Sequence, residues 1–181
     1  MTTLNELTDT YGCIQKDTMI FTSNKTMSLE TLWTTYQTTI TIDTASSNVE
    51  MTIPADLQVL VFDGKNYIYS PVKKIIRAKI YNCINKIYLD NGFTFSCFDD
   101  CQLLGENGFT NKIRKGVTIG MPRTMASLTK DHYCVIDGKT IFIKVIKKEF
   151  IIFNDYGYSL EIDNYHNFIA NGIVCADFTK A

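Results

Sequence analysis

The sequence predicts an all-β domain with one or two short helices, and three observations carry that prediction. Short runs rich in β-branched and aromatic residues recur along the chain. Gly, Asn, Asp and Pro separate them at short intervals, and no long stretch of helical period interrupts them.

Size and composition bound the rest. The chain has 181 residues, 45% hydrophobic and 20% charged, enough for one well-filled core and too few to require two. A formal net charge of -1 supplies no field to gather phosphate, so nucleic acid is not an expected partner. No apolar run reaches the ~20 residues that span a bilayer. The first residues also lack the basic-then-apolar order of a secretory signal, so the expectation is a soluble, cytoplasmic monomer that does not touch membranes.

In chain order, residues 1–12 are polar, and Cys13 stands just before an Asp17-Thr18 turn and a β-run from Met19 to Thr22. Ser23-Asn24-Lys25 turns the chain. Ser28 then stands as N-cap to a short helix that buries Leu29, Leu32 and Trp33. Residues 38–44 alternate as a strand, and residues 45–50 form a small polar loop fit to tolerate a break. Strands follow at 57–62, 67–69, 72–78, 83–89 and 93–97, with turns at Asp63-Gly64-Lys65-Asn66 and Asp90-Asn91-Gly92. A strand pair is expected over 113–122, a hairpin over Asp137-Gly138-Lys139 within 135–146, and a strand over 149–153. The last quarter alternates at Tyr158-Ser159-Leu160-Glu161-Ile162, turns a polar corner, and runs from His166 to Asp177 as two β-runs about Asn171-Gly172.

Six cysteines stand at Cys13, Cys83, Cys97, Cys101, Cys134 and Cys175. With an ample core and no export signal they are expected as thiols, most of them packing as small hydrophobes. Cys13 is different because it follows Gly12. A thiol with an ordinary pKa of about 8.5 is a nucleophile even when little ionised. It can attack the carbonyl of the peptide bond before it if the fold twists that amide and hydrogen-bonds its oxygen.

Three blocks, read together, resemble those of inteins, the self-splicing elements with a Hint (hedgehog/intein) fold. They are Tyr11-Gly12-Cys13-Ile14-Gln15-Lys16-Asp17-Thr18, then Asn91-Gly92-Phe93-Thr94-Phe95-Ser96-Cys97-Phe98-Asp99-Asp100-Cys101, and finally His166-Asn167-Phe168-Ile169-Ala170-Asn171-Gly172-Ile173-Val174-Cys175-Ala176-Asp177. The resemblance implies a horseshoe-like β fold in which the two chain ends lie as neighbouring strands. It implies a flank at residues 1–12, a splicing domain at 13–177 and a second flank at 178–181, with those flanks as its partners. The segment has the length of a mini-intein and lacks the Leu-Ala-Gly-Leu-Ile-Asp-Ala-Asp-Gly type helices of an endonuclease. The break-tolerant loop before Met51 fits two halves of a split intein in fused form.

The same resemblance assigns roles. Cys13 is the nucleophile of a single-turnover N–S acyl shift at Gly12-Cys13. In the middle block, Phe98 and Cys101 stand where the family motif T-x-x-H has its threonine and histidine. Cys101 is therefore the expected partner of the first scissile amide, through a weaker S–H donor. His166 matches the histidine that assists cyclisation at the end of the element. Asp177 stands where an asparagine belongs and Phe178 where a second nucleophile belongs, so C-terminal cleavage and ligation should be impaired. Ser159 replaces an aspartate that many inteins carry. Substitution at the junction and natural degeneration both explain these departures, and no cofactor is implied.

Two other readings use the same residues. Cys97, Cys101, His132 and Cys134 make a loosely spaced Cys3His set for zinc in a β-rich module. Cys13 with His166 and Asn167 makes the nucleophile, base and orienting amide of a cysteine protease-like hydrolase. His132 otherwise reads as structural, and Asp99-Asp100 as exposed turn carboxylates.

Overall fold

The structure is a computed structural model that describes residues 14–42, 49–123 and 139–177. In chain order its elements are β1 (Ile14–Gln15), β2 (Met19–Phe21), β3 (Thr26–Ser28), α1 (Leu29–Tyr36), β4 (Ile40–Ile42), β5 (Val49–Thr52), β6 (Gln58–Phe62) and β7 (Tyr67–Leu89). There follow β8 (Thr94–Cys97), β9 (Leu103–Gly105), β10 (Gly108–Thr110), β11 (Thr118–Pro122), β12 (Thr140–Ile162), β13 (Asn167–Ala170) and β14 (Ile173–Ala176). The all-β expectation holds, with α1 as the one helix named among the described residues.

Two sheets share the chain. The first runs β11-β12-β1-β8-β7-β5-β4, with β6 also on β7 and β12 also pairing β7. The second runs β10-β9-β14-β13-β2-β3. The N-terminal strands β1 and β2 therefore fall in different sheets, separated by only three residues. β1 docks beside β8 and β12, and β2 docks beside β13. A single apolar cluster fills the space these strands enclose, and it includes Ile14, Ile20, Leu32, Trp33, Ile75, Phe95, Cys101, Tyr158, Phe168 and Cys175. Each such side chain, moved from water to this interior, contributes about 1.5–3 kcal/mol.

Several strands expected to be short prove to be segments of two very long ones. The runs at 67–69, 72–78 and 83–89 are one 23-residue strand, β7, and the runs at 149–153 and 158–162 belong to β12, also of 23 residues. They pair antiparallel from Val145 opposite Leu89 to Ile162 opposite Val72. Pro71 looked like a break. It sits where β7 changes partner, from β6 at Gln58 opposite Pro71 to β12, so its missing N–H removes no bond that the ladder needs. β12 likewise hands over from β11 to β7 at a bulge between Val145 and Lys147. These hand-overs let two strands serve several ladders, and no local sequence signal marks them.

Smaller expectations divide. Ser28 caps α1, its Oγ accepting the Thr31 N–H at 3.2 Å, and Leu29, Leu32 and Trp33 are buried. The loop expected over 45–50 ends earlier: Val49 and Glu50 begin β5, and Val49 is fully buried against Ile76 and Ala78. Residues 43–48 lie outside the described residues. The strand pair expected over 113–122 is one strand, β11, preceded by a turn in which Val117 N–H donates to the Arg114 carbonyl. The hairpin expected over 135–146 falls partly outside the described residues, and residues 140–146 belong to β12. The turns at 63–66, 90–92 and Asn171-Gly172 are present. Asn171 and Gly172 both adopt positive φ, 50° and 81°, as a tight two-residue hairpin requires. Among the described residues no helix is long and apolar enough to cross a membrane.

Candidate functional site

The site is organised by the segment that links β8 to β9. Phe95 to Cys97 complete β8, and residues 98–101 form a turn closed by the Cys101 N–H donating to the Phe98 carbonyl at 3.0 Å. Gln102 and Leu103 then run beside the last strand of the domain.

The first and last described strands both meet this segment, but β1 and β14 lie in different sheets, so they are not the neighbouring strands that were expected. On one side Ile14, the residue after Cys13, lies opposite Cys97 in β8 and opposite Tyr158 in β12. On the other side Cys175 pairs with Leu103, and the Ala176 N–H donates to the Gln102 carbonyl at 2.9 Å. A stretch of seven residues, 97–103, thus touches both β1 and β14, the first and last strands among the described residues.

Asp177 follows β14 and is buried, with only 1% exposed. Its backbone N–H donates to the His166 carbonyl at 3.0 Å. Its Oδ2 accepts the Ile162 N–H at 2.9 Å and lies 3.5 Å from His166 Nδ1. An enclosed carboxylate needs such donors, because burial without them costs several kcal/mol. His166 reaches it from the corner between β12 and β13, where Asn164 and His166 both take positive φ, 71° and 56°. Asn and His are among the residues that enter this region more readily than most. The imidazole is half exposed, so one end of the pair faces solvent while the other is sealed.

Cys101 is also buried, and its Sγ lies 3.4 Å from the Sγ of Cys175. Phe98, the other departure from T-x-x-H, belongs to a different part of the core. Its ring packs edge-on to Phe153 with centroids 5.3 Å apart, in a cluster with Val49, Ile76, Ala78, Ile80 and Ile84. The two motif positions therefore diverge: Phe98 anchors the turn on one side of the sheet while Cys101 stays beside the C-terminal strand. Asp99 is exposed as expected, and the Asn85 amide donates to it.

Asn167 does not orient His166. Its Oδ1 accepts the Phe62 N–H at 2.8 Å and its Nδ2 donates to the carbonyls of Phe62 and Tyr165, so it clamps β13 to β6. The amide required by a protease-like Cys-His-Asn arrangement is therefore committed elsewhere. Of the proposed zinc set, His132 and Cys134 lie outside the described residues. Among the described residues no group of three His, Cys, Asp or Glu converges as a metal site. Gly12, Cys13 and Phe178 likewise lie outside the described residues. Ser159 is fully buried, and its Oγ has no hydrogen-bond partner among the described residues.

Comparison with solved structures decides the fold. The transcription factor IIB Mvu mini-intein matches with a TM-score of 0.73 at 17% identity, over 92% of this chain and 99% of that one. The chain has the Hint fold of the mini-inteins. An intein from a hyperthermophile matches with a TM-score of 0.72 at 18% identity, over 92% of this chain and 99% of that one. A DnaB intein from Synechocystis matches at 0.66 and 13%, over 92% and 98%. No protein-family model matches the chain, and no curated protein does. In this Hint domain, sequence reasoning overlooked Cys175, which reads as one more core cysteine, and Gln102, which acts only through its backbone. Neither carries a signal in the sequence, since both owe their place to the pairing of β14 with β9.

Proposed function

We propose that the chain is a protein-splicing element that carries out the first acyl shift on its own N-terminal flank and is blocked at its C-terminal junction. The observation that carries this reading is the convergence of both ends on residues 97–103: Ile14 opposite Cys97, and Ala176 bonded to Gln102. A splicing domain must hold its two junctions together, and few other activities need that.

In the first step the Cys13 sulfur attacks the Gly12 carbonyl carbon, a C–S bond forms, the C–N bond breaks, and the departing nitrogen takes a proton. The product is a thioester that water, thiol or hydroxylamine can cleave. Cys101 is the side chain in the position of the family's proton donor for this step.

The C-terminal step needs a side-chain amide nitrogen to attack the following carbonyl. Asp177 occupies the corresponding place, with its carboxylate against Ile162 N–H and His166, and has no such nitrogen. Phe178 has no nucleophile to accept an acyl group. The flanks are therefore not joined.

Mass spectrometry of the purified chain with and without dithiothreitol or hydroxylamine tests the reading. Loss of residues 1–12, abolished by Cys13→Ala, is the expected result. An intact chain under both reagents overturns it.

A further inference from the structure

We propose that Cys101 and Cys175 are an oxidation site, a thiol pair that peroxide closes to a disulfide, tying the 98–101 turn to the last strand of the domain. The two residues are 74 positions apart in sequence, yet their sulfurs are 3.4 Å apart. Their backbones are held in place by the ladder between them, with Cys175 opposite Leu103 and Ala176 bonded to the Gln102 carbonyl. A disulfide bond is about 2.0 Å long, so the two sulfurs start near bonding distance and must draw together to close it.

Competing fates of the pair are less suited to the site. A structural zinc ion takes four ligands, and no third or fourth converges here among the described residues. Both residues are buried, Cys101 2% and Cys175 0% exposed, which shields them from bulky oxidants. Peroxide is close to water in size. Cys101 lies on a turn whose neighbour Asp99 is exposed, so local opening of that turn suffices to admit it.

The chemistry balances in two steps. One thiol and one hydrogen peroxide give a sulfenic acid and one water. The second thiol then displaces hydroxide from that sulfur, forming the S–S bond and a second water. A small dithiol reverses the change by exchange. The consequence rests on the function proposed above. Cys101 in a disulfide has no S–H to offer the first scissile amide, so the oxidised domain would hold its N-terminal flank uncleaved until reduced.

The test uses the whole chain treated with hydrogen peroxide and then alkylated. Peptide mapping is expected to find Cys101 and Cys175 in one cross-linked peptide pair, with a raised urea midpoint that dithiothreitol abolishes. Cys175→Val, which keeps the site apolar, should lose both changes, and Cys101→Ala gives the same cross-link control if that variant fails to fold. Alkylation of both cysteines after peroxide overturns the proposal, as does a disulfide from Cys101 to any other cysteine.

Hydroxylamine cleavage, which needs no reducing thiol, reads the consequence: the treated native chain should stop cleaving while treated Cys175→Val continues. Equal loss in both chains would trace the effect to Cys13 and refute the switch. No cleavage in untreated chain would refute the splicing reading alone, since the cross-link is scored by mass.

Discussion

Asn171 and Met19, 152 residues apart, clasp each other through two hydrogen bonds: Met19 N–H donates to Asn171 Oδ1 at 2.7 Å, and Asn171 N–H donates to the Met19 carbonyl at 3.0 Å. The Asn171 Nδ2 adds a third bond to the Thr94 carbonyl at 3.2 Å. One turn residue thus joins β2, the β13–β14 hairpin and β8. Asn171→Ala removes the side-chain bonds and places alanine at positive φ. It is expected to cost about 2–3 kcal/mol in urea unfolding and to slow N-terminal cleavage. Unchanged stability would show that the clasp does not hold the ends.

Asp177→Asn supplies the missing nitrogen without changing shape. Its side-chain oxygen can keep the Ile162 N–H that Asp177 now accepts at 2.9 Å. C-terminal cleavage after residue 177 should rise at least about tenfold, a barrier change of about 1.4 kcal/mol. Adding His166→Ala in that background should slow it by about a hundredfold, the usual scale of a lost general acid or base. Mass spectrometry of the released residues 178–181 is the measurement, and a rate unaffected by His166→Ala would remove the imidazole from the step.

Arg77 lies between the rings of Trp33 and Tyr156, at 4.4 and 4.3 Å from their centroids, while its Nε meets a Glu50 carboxylate oxygen at 2.5 Å. The guanidinium lies over both rings while its Nε bonds the carboxylate, a combination that an ammonium matches poorly. Arg77→Lys is therefore expected to cost about 1 kcal/mol and Arg77→Ala about 2–3 kcal/mol, read from thermal or urea unfolding. Equal stability of Arg77→Lys and the native chain would show that the stacking contributes nothing.

Asp63 closes the β6–β7 turn. Its Oδ1 accepts the N–H groups of Asn66 at 2.6 Å and Lys65 at 2.8 Å, and these bonds hold its carboxyl below the ordinary carboxylate value. The folded pKa is depressed, so the stabilisation is full above the unfolded value of about 3.9 and fades as pH falls through the lower folded value. The gap in urea midpoint between the native chain and Asp63→Ala should be constant at neutral pH and shrink only below about pH 4. A gap that does not narrow in acid would mean the carboxylate plays no part.

Much of the fold is legible locally because turn chemistry is local. Asn171-Gly172 announces its hairpin, Asp63-Gly64-Lys65-Asn66 its turn, and Ser28 its helix. The length of β7 and β12 is not legible. Pro71 reads as a break in sequence and becomes harmless only because the strand changes partners there. The candidate site divides the same way. His166 and Asp177 are found through the phrase that contains them, but their 3.5 Å approach depends on the backward corner at Asn164 and His166.

The residues alone determined that this chain is β-rich, where its turns lie, and that a cysteine follows a glycine near one end while His166 and Asp177 bracket a β-hairpin near the other. Those properties belong to side chains and their immediate neighbours. Only the tertiary structure decided that Cys101 meets Cys175, that Phe98 turns away into a separate cluster, and that Asn167 clamps β6 instead of orienting His166. Each of these depends on strands distant in sequence coming together, and for Cys175 and Asn167, which lie within strands, a one-residue change of register would turn the side chain to the opposite face.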